Sequence, residues 1–354
     1  TRNFQRGSFP GAAALGDEAQ REKFWDRNLA CASCPIACTK EGTLKEGEFA
    51  GMKGDSLEYE SAAMLGSNLE IGDTGEAVCL GLTCDRLGLD TISAGAVLSF
   101  ACEAAERGLL DTQARWGDVH GLVALLRDIA HRRGVGDLLA EGVRIAAGRL
   151  GGEAGTFAIH VKGLELPAWG PRGAPGMGLA YMTADRGGCH KRAFPILYEV
   201  GGESWKGRTY ERLALDGKAQ LLAELQDKLA GLDCFVTCDF ARYGIQEPEY
   251  LELLAAATGR QMRPEELYEL GARIWNLTRL FNLKAGLTAA DEDLPIRFKS
   301  EPLPDGPAAG HYFSDEAIVQ LRSEYYAVRG WDQNGVPRPE TLATLGVEYP
   351  TSRN

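Results

Sequence analysis

The sequence has no long apolar run, no excess of basic charge and no low-complexity or repeated segment. No stretch approaches the roughly 20 apolar residues of a membrane-spanning helix, and the first residues lack the basic and apolar pattern of a signal peptide. The formal net charge of −12 disfavours nucleic acid and anionic membranes as partners, because both carry negative charge. With 44% hydrophobic and 25% charged residues, the composition is that of a globular protein.

The 354 residues are enough for two or three domains with buried cores. Nine cysteines without secretory features indicate a reducing compartment, so we expect a cytoplasmic protein. The chain begins at Thr1 without a methionine, and residues 3–11 resemble a connecting segment. We therefore expect a fragment, a processed chain or one subunit of a split enzyme.

Hydrophobic periodicity and capping residues predict a mainly α fold with minor β content. A helix over 17–29 is expected to lead into a cysteine-rich loop, and Ser56 is expected to cap the next helix. Further predictions are helices over 73–88, 90–107, 119–129, 137–149 and 316–328, an exposed loop over 40–55, a short strand over 156–161 and a domain boundary within the Gly- and Pro-rich stretch 163–188. Five apolar residues at helical spacing are assigned to the core, namely Leu267, Leu270, Ile274, Leu277 and Phe281.

A cluster of cysteines organises the first part of the chain, with the sequence Cys31-Ala-Ser-Cys34-Pro-Ile-Ala-Cys38. A short loop can aim three thiolates at one metal centre, and the spacing favours an iron–sulfur cluster over a structural zinc site. Either site needs a fourth ligand from elsewhere in the chain. The best candidate is Cys238, with Cys234 as the next choice.

Two segments share a leading aspartate and a polar or ligating residue five positions later, Asp85 to Asp90 and Asp233 to Cys238. Such a pair would suit one roughly symmetric ligand between two helix ends. Two further residue types suit proton transfer, an acidic pair around Tyr59 and a histidine at position 190. Taken alone, these residue types favour a solvated helix face for Glu58 and Glu60, and a hydrogen-bonded core position for His190.

Three further stretches accompany the cysteines: Glu58-Tyr59-Glu60, residues 162–190, and Ile274-Trp-Asn-Leu-Thr-Arg-Leu-Phe-Asn282. Together they resemble the tungsten-containing aldehyde ferredoxin oxidoreductase family, from about residue 3 to 346. The resemblance implies the second and third of three domains, both helical. Residues 1–159 would carry the three-cysteine motif, and residues 160–354 the histidine and the fourth cysteine. The β-rich first domain, on which two pyranopterins lie, would be absent from this chain.

The resemblance also implies roles for individual residues. The ligands of a [4Fe-4S] cluster would be Cys31, Cys34, Cys38 and Cys238. The residues nearest the tungsten would be Glu60 and His190. The contacts to a tungsten or molybdenum bis-pyranopterin, with Mg as a further ion, would come from Asp85, Leu89, Asp90, Arg192, Asp233 and Thr237. The second motif departs from the family pattern, because Val236 and Thr237 stand where Gly and Leu are usual.

The implied reaction is the oxidation of an aldehyde to a carboxylic acid. Glu60 would take a proton as general base, and His190 would polarise the substrate oxygen. Two electrons would leave singly through the cluster to a ferredoxin-like acceptor. The resemblance also allows a homodimer. Some members bridge two subunits with an iron held by a Glu and a His, but Cys79 and Val123 stand at those positions, so we expect no such iron here.

Two other readings remain open on the sequence. One is a relative with the same fold that acts on a different substrate, such as an aromatic thioester. The other is a cluster-bearing electron-transfer or scaffold subunit without its own pterin. Metal content separates the scaffold reading from the enzymatic ones, because a scaffold subunit would hold iron without tungsten or molybdenum.

Overall fold

The computed structural model describes residues 1–348. About 51% of the chain is helical and 6% is strand, which confirms the predicted mainly α class. The helices of this part of the chain are α1 (Asp17–Lys23), α2 (Tyr59–Leu65), α3 (Thr74–Leu87), α4 (Thr91–Glu106), α5 (Val119–His131), α6 (Val135–Leu139), α7 (Val143–Leu150), α8 (Pro175–Thr183), α9 (Ile196–Glu199), α10 (Lys218–Asp233), α11 (Glu247–Thr258), α12 (Pro264–Lys284), α13 (Ile296–Ser300), α14 (Asp315–Val328) and α15 (Pro339–Thr344). The strands are β1 (Trp25–Leu29), β2 (Thr39–Thr43), β3 (Lys53–Asp55), β4 (His160–Val161) and β5 (Leu164–Glu165).

The chain forms two compact units. Unit 1 contains Thr1–Gly173 and Leu294–Tyr312, and unit 2 contains Ala174–Asp293 and the chain from Phe313 onward. This division differs from the predicted one at residue 160, and one segment of unit 1 returns from late in the sequence. The predicted second domain runs to residue 354, and residues 349–354 lie outside the described part of the chain. The family's domain boundary therefore stays a prediction.

Helices α3 and α4 begin and end where the sequence predicts. The Asp73 side chain accepts hydrogen bonds from the backbone N–H groups of Gly75 and Glu76 at the start of α3. Gly88 ends α3 with φ of 69°, a left-handed conformation that suits glycine. Asp90 then accepts from the Ser93 N–H at 2.8 Å and caps α4. Each predicted signal thus has a direct hydrogen-bonding role.

The predicted helix over 17–29 is wrong in its second half. It ends at Lys23, and β1 follows and pairs antiparallel with β2, which pairs in turn with β3. The predicted exposed loop over 40–55 therefore contributes two strands to this sheet. The C-cap residue of α1 is Phe24, whose side chain is 0% exposed and packs with Leu44, Val78 and Leu82, so tertiary packing overrides the local helix signal here.

Three smaller predictions also need correction. Ser56 does not cap α2, because its hydroxyl accepts from the Trp25 indole and donates to Gln20, and Glu58 occupies the N-cap position. The helix predicted over 137–149 is divided into α6 and α7 at Gly142, which has φ of 81°. The strand predicted over 156–161 is limited to the two residues of β4, and residues 156 and 157 belong instead to a 3₁₀ helix at Ala154–Phe157.

The core of unit 1 lies among helices α2 to α5. Deep within it, the Arg297 guanidinium binds the Glu103 carboxylate at 2.5 and 2.8 Å, and both side chains are 1% exposed. The Asn3 side chain donates to the same carboxylate at 2.8 Å. This network joins the N-terminal segment, α4 and α13 in one unit, because a buried carboxylate requires paired cations and donors.

In unit 2, α10 packs against α8, α12 and α14. The buried side of α12 includes Leu267, Gly271 and Trp275, and a Cβ on Gly271 would lie only 1.8 Å from the Asp227 carbonyl oxygen of α10. The predicted core stripe is therefore wrong at its end, since Leu277 is 49% and Phe281 is 70% exposed. Close approach at the small residue, rather than the apolar stripe, decides which face of α12 is buried.

Within residues 1–348, no single helix is both long and apolar enough to cross a bilayer. Helices α3 and α4 reach the required length and composition only as a pair, and the chain bends by 114° between them.

Candidate functional site

The loop between β1 and β2 carries the three-cysteine motif. The Cys34 N–H donates to the Cys31 carbonyl at 3.0 Å, and Ser33 and Ala37 have positive φ values of 62° and 49°. The Lys40 ammonium donates to the Ala37 and Cys38 carbonyls at 3.1 and 3.3 Å. These contacts fold residues 31–38 into consecutive tight turns.

The donor set of this loop fits a cluster, because thiolates are the usual ligands of iron–sulfur centres. Cys31 is exposed, while Cys34 and Cys38 are half-buried. No three Cys, His, Asp or Glu side chains converge as a metal site within the described residues. The predicted fourth ligand, Cys238, belongs to unit 2. The assignment of all four ligands stays a prediction.

Glu60 lies in the first turn of α2 and is not part of a solvated face. Its Oε2 atom accepts a hydrogen bond from the Ala168 N–H at 2.7 Å, and its Oε1 atom is shielded from solvent. Glu58, at the N-cap position, is exposed. Beside Glu60, the ring of Tyr59 stacks on that of Trp169 with centroids 4.4 Å apart. The structure thus distinguishes the two carboxylates and favours Glu60 as the constrained one.

His190 lies in the segment between α8 and α9. Burial lowers the pKa of its imidazole to about 4, and the nearby charges of Lys191 and Arg186 act in the same direction. The ring is therefore neutral at neutral pH, with one nitrogen as donor and the other as acceptor. The Phe194 ring meets it edge-on at 6.2 Å.

Two predicted pterin contacts, Arg192 and Asp233, line one open cleft in unit 2. The Arg192 Nε donates to Asp185 Oδ1 at 2.9 Å, and its NH1 lies 3.8 Å from Asp233 Oδ2. Burial raises the pKa of Asp233, and the Arg192 charge opposes that shift. The cleft also contains Lys191. Its ammonium group pairs with the carboxylate of Asp239, the residue that follows Cys238.

The remaining predicted contacts lie at helix ends. In unit 1, Asp85 is exposed in the last turn of α3, Leu89 is half-buried, and Asp90 caps α4 through its Oδ2 atom. In unit 2, Thr237 is exposed and follows the end of α10. Burial raises the pKa of Asp85, and the Asp55 charge adds to the shift. A carboxylate near a helix C-terminus opposes the helix dipole, so Asp85 and Asp233 do not stabilise their own helices.

The two aspartate motifs share a backbone geometry that the sequence only suggested. Each leading aspartate lies in the last turn of a helix, and the residue three positions later has positive φ, 69° at Gly88 and 56° at Val236. A β-branched residue is strained in this conformation. Val236 is also 93% exposed, so its side chain gains little from packing. The departure from the usual Gly thus has a measurable cost.

Replacing Val236 with glycine is expected to raise the free energy of unfolding by about 1 kcal/mol, because relief of left-handed strain exceeds the added flexibility of the unfolded chain. The measurement is urea denaturation of the full chain. Val236→Ala is the matched control, since it keeps a Cβ and should recover less than about half of the gain. Equal effects of both variants, or a loss of stability with glycine, would show that the positive φ of Val236 does not destabilise the chain.

Several contributors to these sites were not identified from the sequence. Asp185 holds Arg192, the Ala168 N–H binds Glu60, and Trp169 stacks on Tyr59. Asp185 and Trp169 both lie in or beside the motif stretch 162–190, which was the available signal. The contacts of Ala168 and Trp169 join segments that are distant in the sequence, which a single sequence does not reveal.

Comparison with known proteins connects these features. A family model described as "Aldehyde ferredoxin oxidoreductase, domains 2 & 3" matches residues 1–347. The tungsten-containing aldehyde ferredoxin oxidoreductases of Thermococcus kodakarensis and Pyrococcus furiosus are 40% and 39% identical to the chain, over 98% of it and 57% of their own length. The chain therefore spans little more than half of these relatives.

A solved structure, the active site complex BamBC of benzoyl coenzyme A reductase, has a TM-score of 0.72 with the chain. The alignment covers 98% of this chain and 59% of the other at 22% identity, a likeness that concerns the fold. Taken with the match over residues 1–347, these comparisons show that the chain belongs to the aldehyde ferredoxin oxidoreductase family and corresponds to its second and third domains.

Proposed function

We propose that this chain is the catalytic portion of a tungsten or molybdenum bis-pyranopterin oxidoreductase that oxidises aldehydes to carboxylic acids. The observation that supports this most directly is the cleft of unit 2, where Arg192 and Asp233 lie side by side. A guanidinium and a carboxylate at the same opening can bind the donor and acceptor edge of a pterin. Asp85, Leu89, Asp90 and Thr237 would complete the contacts to the cofactor.

The bound pterin metal would supply a two-electron acceptor, and the chain would supply proton transfer and polarisation. Glu60 would take a proton as the general base, with its carboxylate oriented by the Ala168 N–H. His190 would donate a hydrogen bond to the substrate oxygen. Its lowered pKa supports that role, because a neutral imidazole keeps one N–H for donation without adding a charge to a desolvated site.

Electrons would leave through a [4Fe-4S] cluster held by Cys31, Cys34, Cys38 and Cys238, and pass to a ferredoxin-like acceptor. The pyranopterin-bearing domain, or a separate subunit with that role, would complete the active site, and Mg would serve the cofactor. A cytoplasmic location and a homodimer without a bridging iron are parts of the same proposal. Cys79, at one of the positions where an iron ligand would lie, is a 5% exposed residue of α3.

The cleft of unit 2 is less consistent with a scaffold subunit. A subunit that only carries a cluster does not require the pair of charges, Arg192 and Asp233, that lines this cleft. Action on an aromatic thioester keeps the same cofactor and differs in substrate. Turnover assays with the two substrate classes separate it from aldehyde oxidation.

Metal analysis of the complete enzyme tests the proposal. We expect one tungsten or molybdenum for each chain, and the iron of one four-iron cluster without additional mononuclear iron. The measurement is elemental analysis of the purified enzyme together with an assay of aldehyde oxidation by a viologen dye. Iron without tungsten or molybdenum would support the scaffold reading, and extra iron at a symmetric contact would contradict the assignment of Cys79 and Val123.

A further inference from the structure

The first turn of α2 and the segment around Ala168 meet through two consecutive residues on each side. The Ala168 N–H donates to Glu60 Oε2 at 2.7 Å, and the neighbouring rings of Trp169 and Tyr59 stack at 4.4 Å with an interplanar angle of 24°. All four residues belong to unit 1. One contact is thus a directional hydrogen bond to a carboxylate, and the other is a broad aromatic contact beside it.

The segment that carries Ala168 has little regular structure of its own. It lies between β5, which ends at Glu165, and the 3₁₀ helix that begins at Pro171. Such a connection keeps an N–H group in place only if side chains order it. Trp169 is the large side chain next to Ala168, and its ring stacks on that of Tyr59. The Tyr59 residue is itself 54% exposed.

We propose that the Tyr59–Trp169 stack is a positioning device for Glu60, which keeps the Ala168 N–H on the carboxylate and so fixes the direction of its proton-accepting oxygen. Tyr59 and Trp169 are positioning residues in this account and act through Glu60. The inference rests on the proposed function, in which Glu60 is the general base.

Loss of the stack has two chemical consequences at Glu60. A backbone N–H favours the ionised form of a carboxylate, so its loss makes the group easier to protonate. A carboxylate that is free to rotate also spends less time in the productive direction, and small displacements of reacting groups cost large factors in rate. A loose stack should therefore lower kcat and move the acid limb of the pH–rate profile to higher pH.

The experiment compares Trp169→Leu with Trp169→Phe in the complete enzyme with its cofactors. Leucine removes the ring, and phenylalanine retains a stacking surface of the same kind. For Trp169→Leu we expect kcat to fall about 10- to 100-fold with little change in KM, while Trp169→Phe should recover most of the activity. Trp116→Leu is the matched control, because Trp116 is also in unit 1 but contacts Arg2 and Glu106 instead.

A second measurement does not depend on turnover. Amide hydrogen exchange of the peptide containing Ala168 should become about 10-fold faster in Trp169→Leu and stay unchanged in Trp116→Leu. Unchanged exchange at Ala168 would overturn the inference. An effect of Trp169→Leu on KM alone would also overturn it, and would make Tyr59 and Trp169 direct substrate contacts instead. Normal turnover in Glu60→Gln would contradict the proposed function instead, whereas a slow Glu60→Gln beside a normal Trp169→Leu would contradict the positioning role alone.

Discussion

Turnover of aldehyde is expected to fall by about 10²–10⁴-fold when Glu60 is replaced with glutamine, while tungsten or molybdenum stays bound. Glutamine keeps the size of the side chain and can still accept the hydrogen bond from the Ala168 N–H, which lies 2.7 Å from Glu60 Oε2. It cannot take up a proton at the pH of the assay. The measurement is steady-state oxidation with a viologen dye in an enzyme that contains the pterin-bearing domain.

Glu58→Gln is the matched control for this prediction. Glu58 lies two residues before Glu60, and its substitution removes the same negative charge. Its side chain, however, is exposed at the N-cap of α2. We expect its turnover to stay within about 2-fold of the parent enzyme, since surface charges contribute little. A near-normal rate in Glu60→Gln with the metal retained would refute the general base and direct attention to Glu58.

Loss of the cluster is the expected result of replacing either Cys34 or Cys238 with alanine. Each change removes one thiolate of a four-ligand site, and the reduced protein should lose the electron paramagnetic resonance signal of a [4Fe-4S] centre. Turnover with a one-electron acceptor should fall with it. Bound iron, determined by elemental analysis, provides the second measurement.

Cys234→Ala is the control, because Cys234 is exposed like Cys238 but lies at the C-cap of α10, whereas Cys238 precedes the next 3₁₀ helix. Partial desolvation and the adjacent Asp233 raise the pKa of the Cys234 thiol, which is unfavourable for a thiolate ligand. Its replacement should leave the signal intact. A cluster that survives Cys238→Ala and is lost in Cys234→Ala would reverse the assignment of the fourth ligand.

Local capping signals predicted the helices whose ends are fixed by neighbouring residues. Asp73, Gly88 and Asp90 define the ends of α3 and α4 through hydrogen bonds and backbone conformations confined to a few residues. Non-local contacts decided the cases that failed. The strand at Trp25 exists because of its partner β2, and the exposed side of α12 follows from its approach to α10 at Gly271.

The candidate site shows the same contrast. The sequence indicated Arg192 and Asp233 one at a time, and the structure shows that they share a cleft. Residue types alone did not distinguish Glu60 from Glu58, and the family resemblance favoured Glu60. The structure adds that Glu60 contacts the Ala168 N–H whereas Glu58 is exposed. The convergence of the cysteines stays a prediction, because neither periodicity nor a capping signal specifies where the side chains of a loop point.

The return of residues 294–312 to unit 1 affects the order in which the chain can fold during synthesis. Glu103 lies in the first third of the sequence, but its partner Arg297 leaves the ribosome almost two hundred residues later. Until then the Glu103 carboxylate has Arg107 and Asn3 as partners but lacks the Arg297 guanidinium, and loss of one partner of a buried ion pair is destabilising. We therefore expect a nascent chain that ends before Arg297 to have a less stable unit 1 core, and to be more sensitive to protease there, than the released chain.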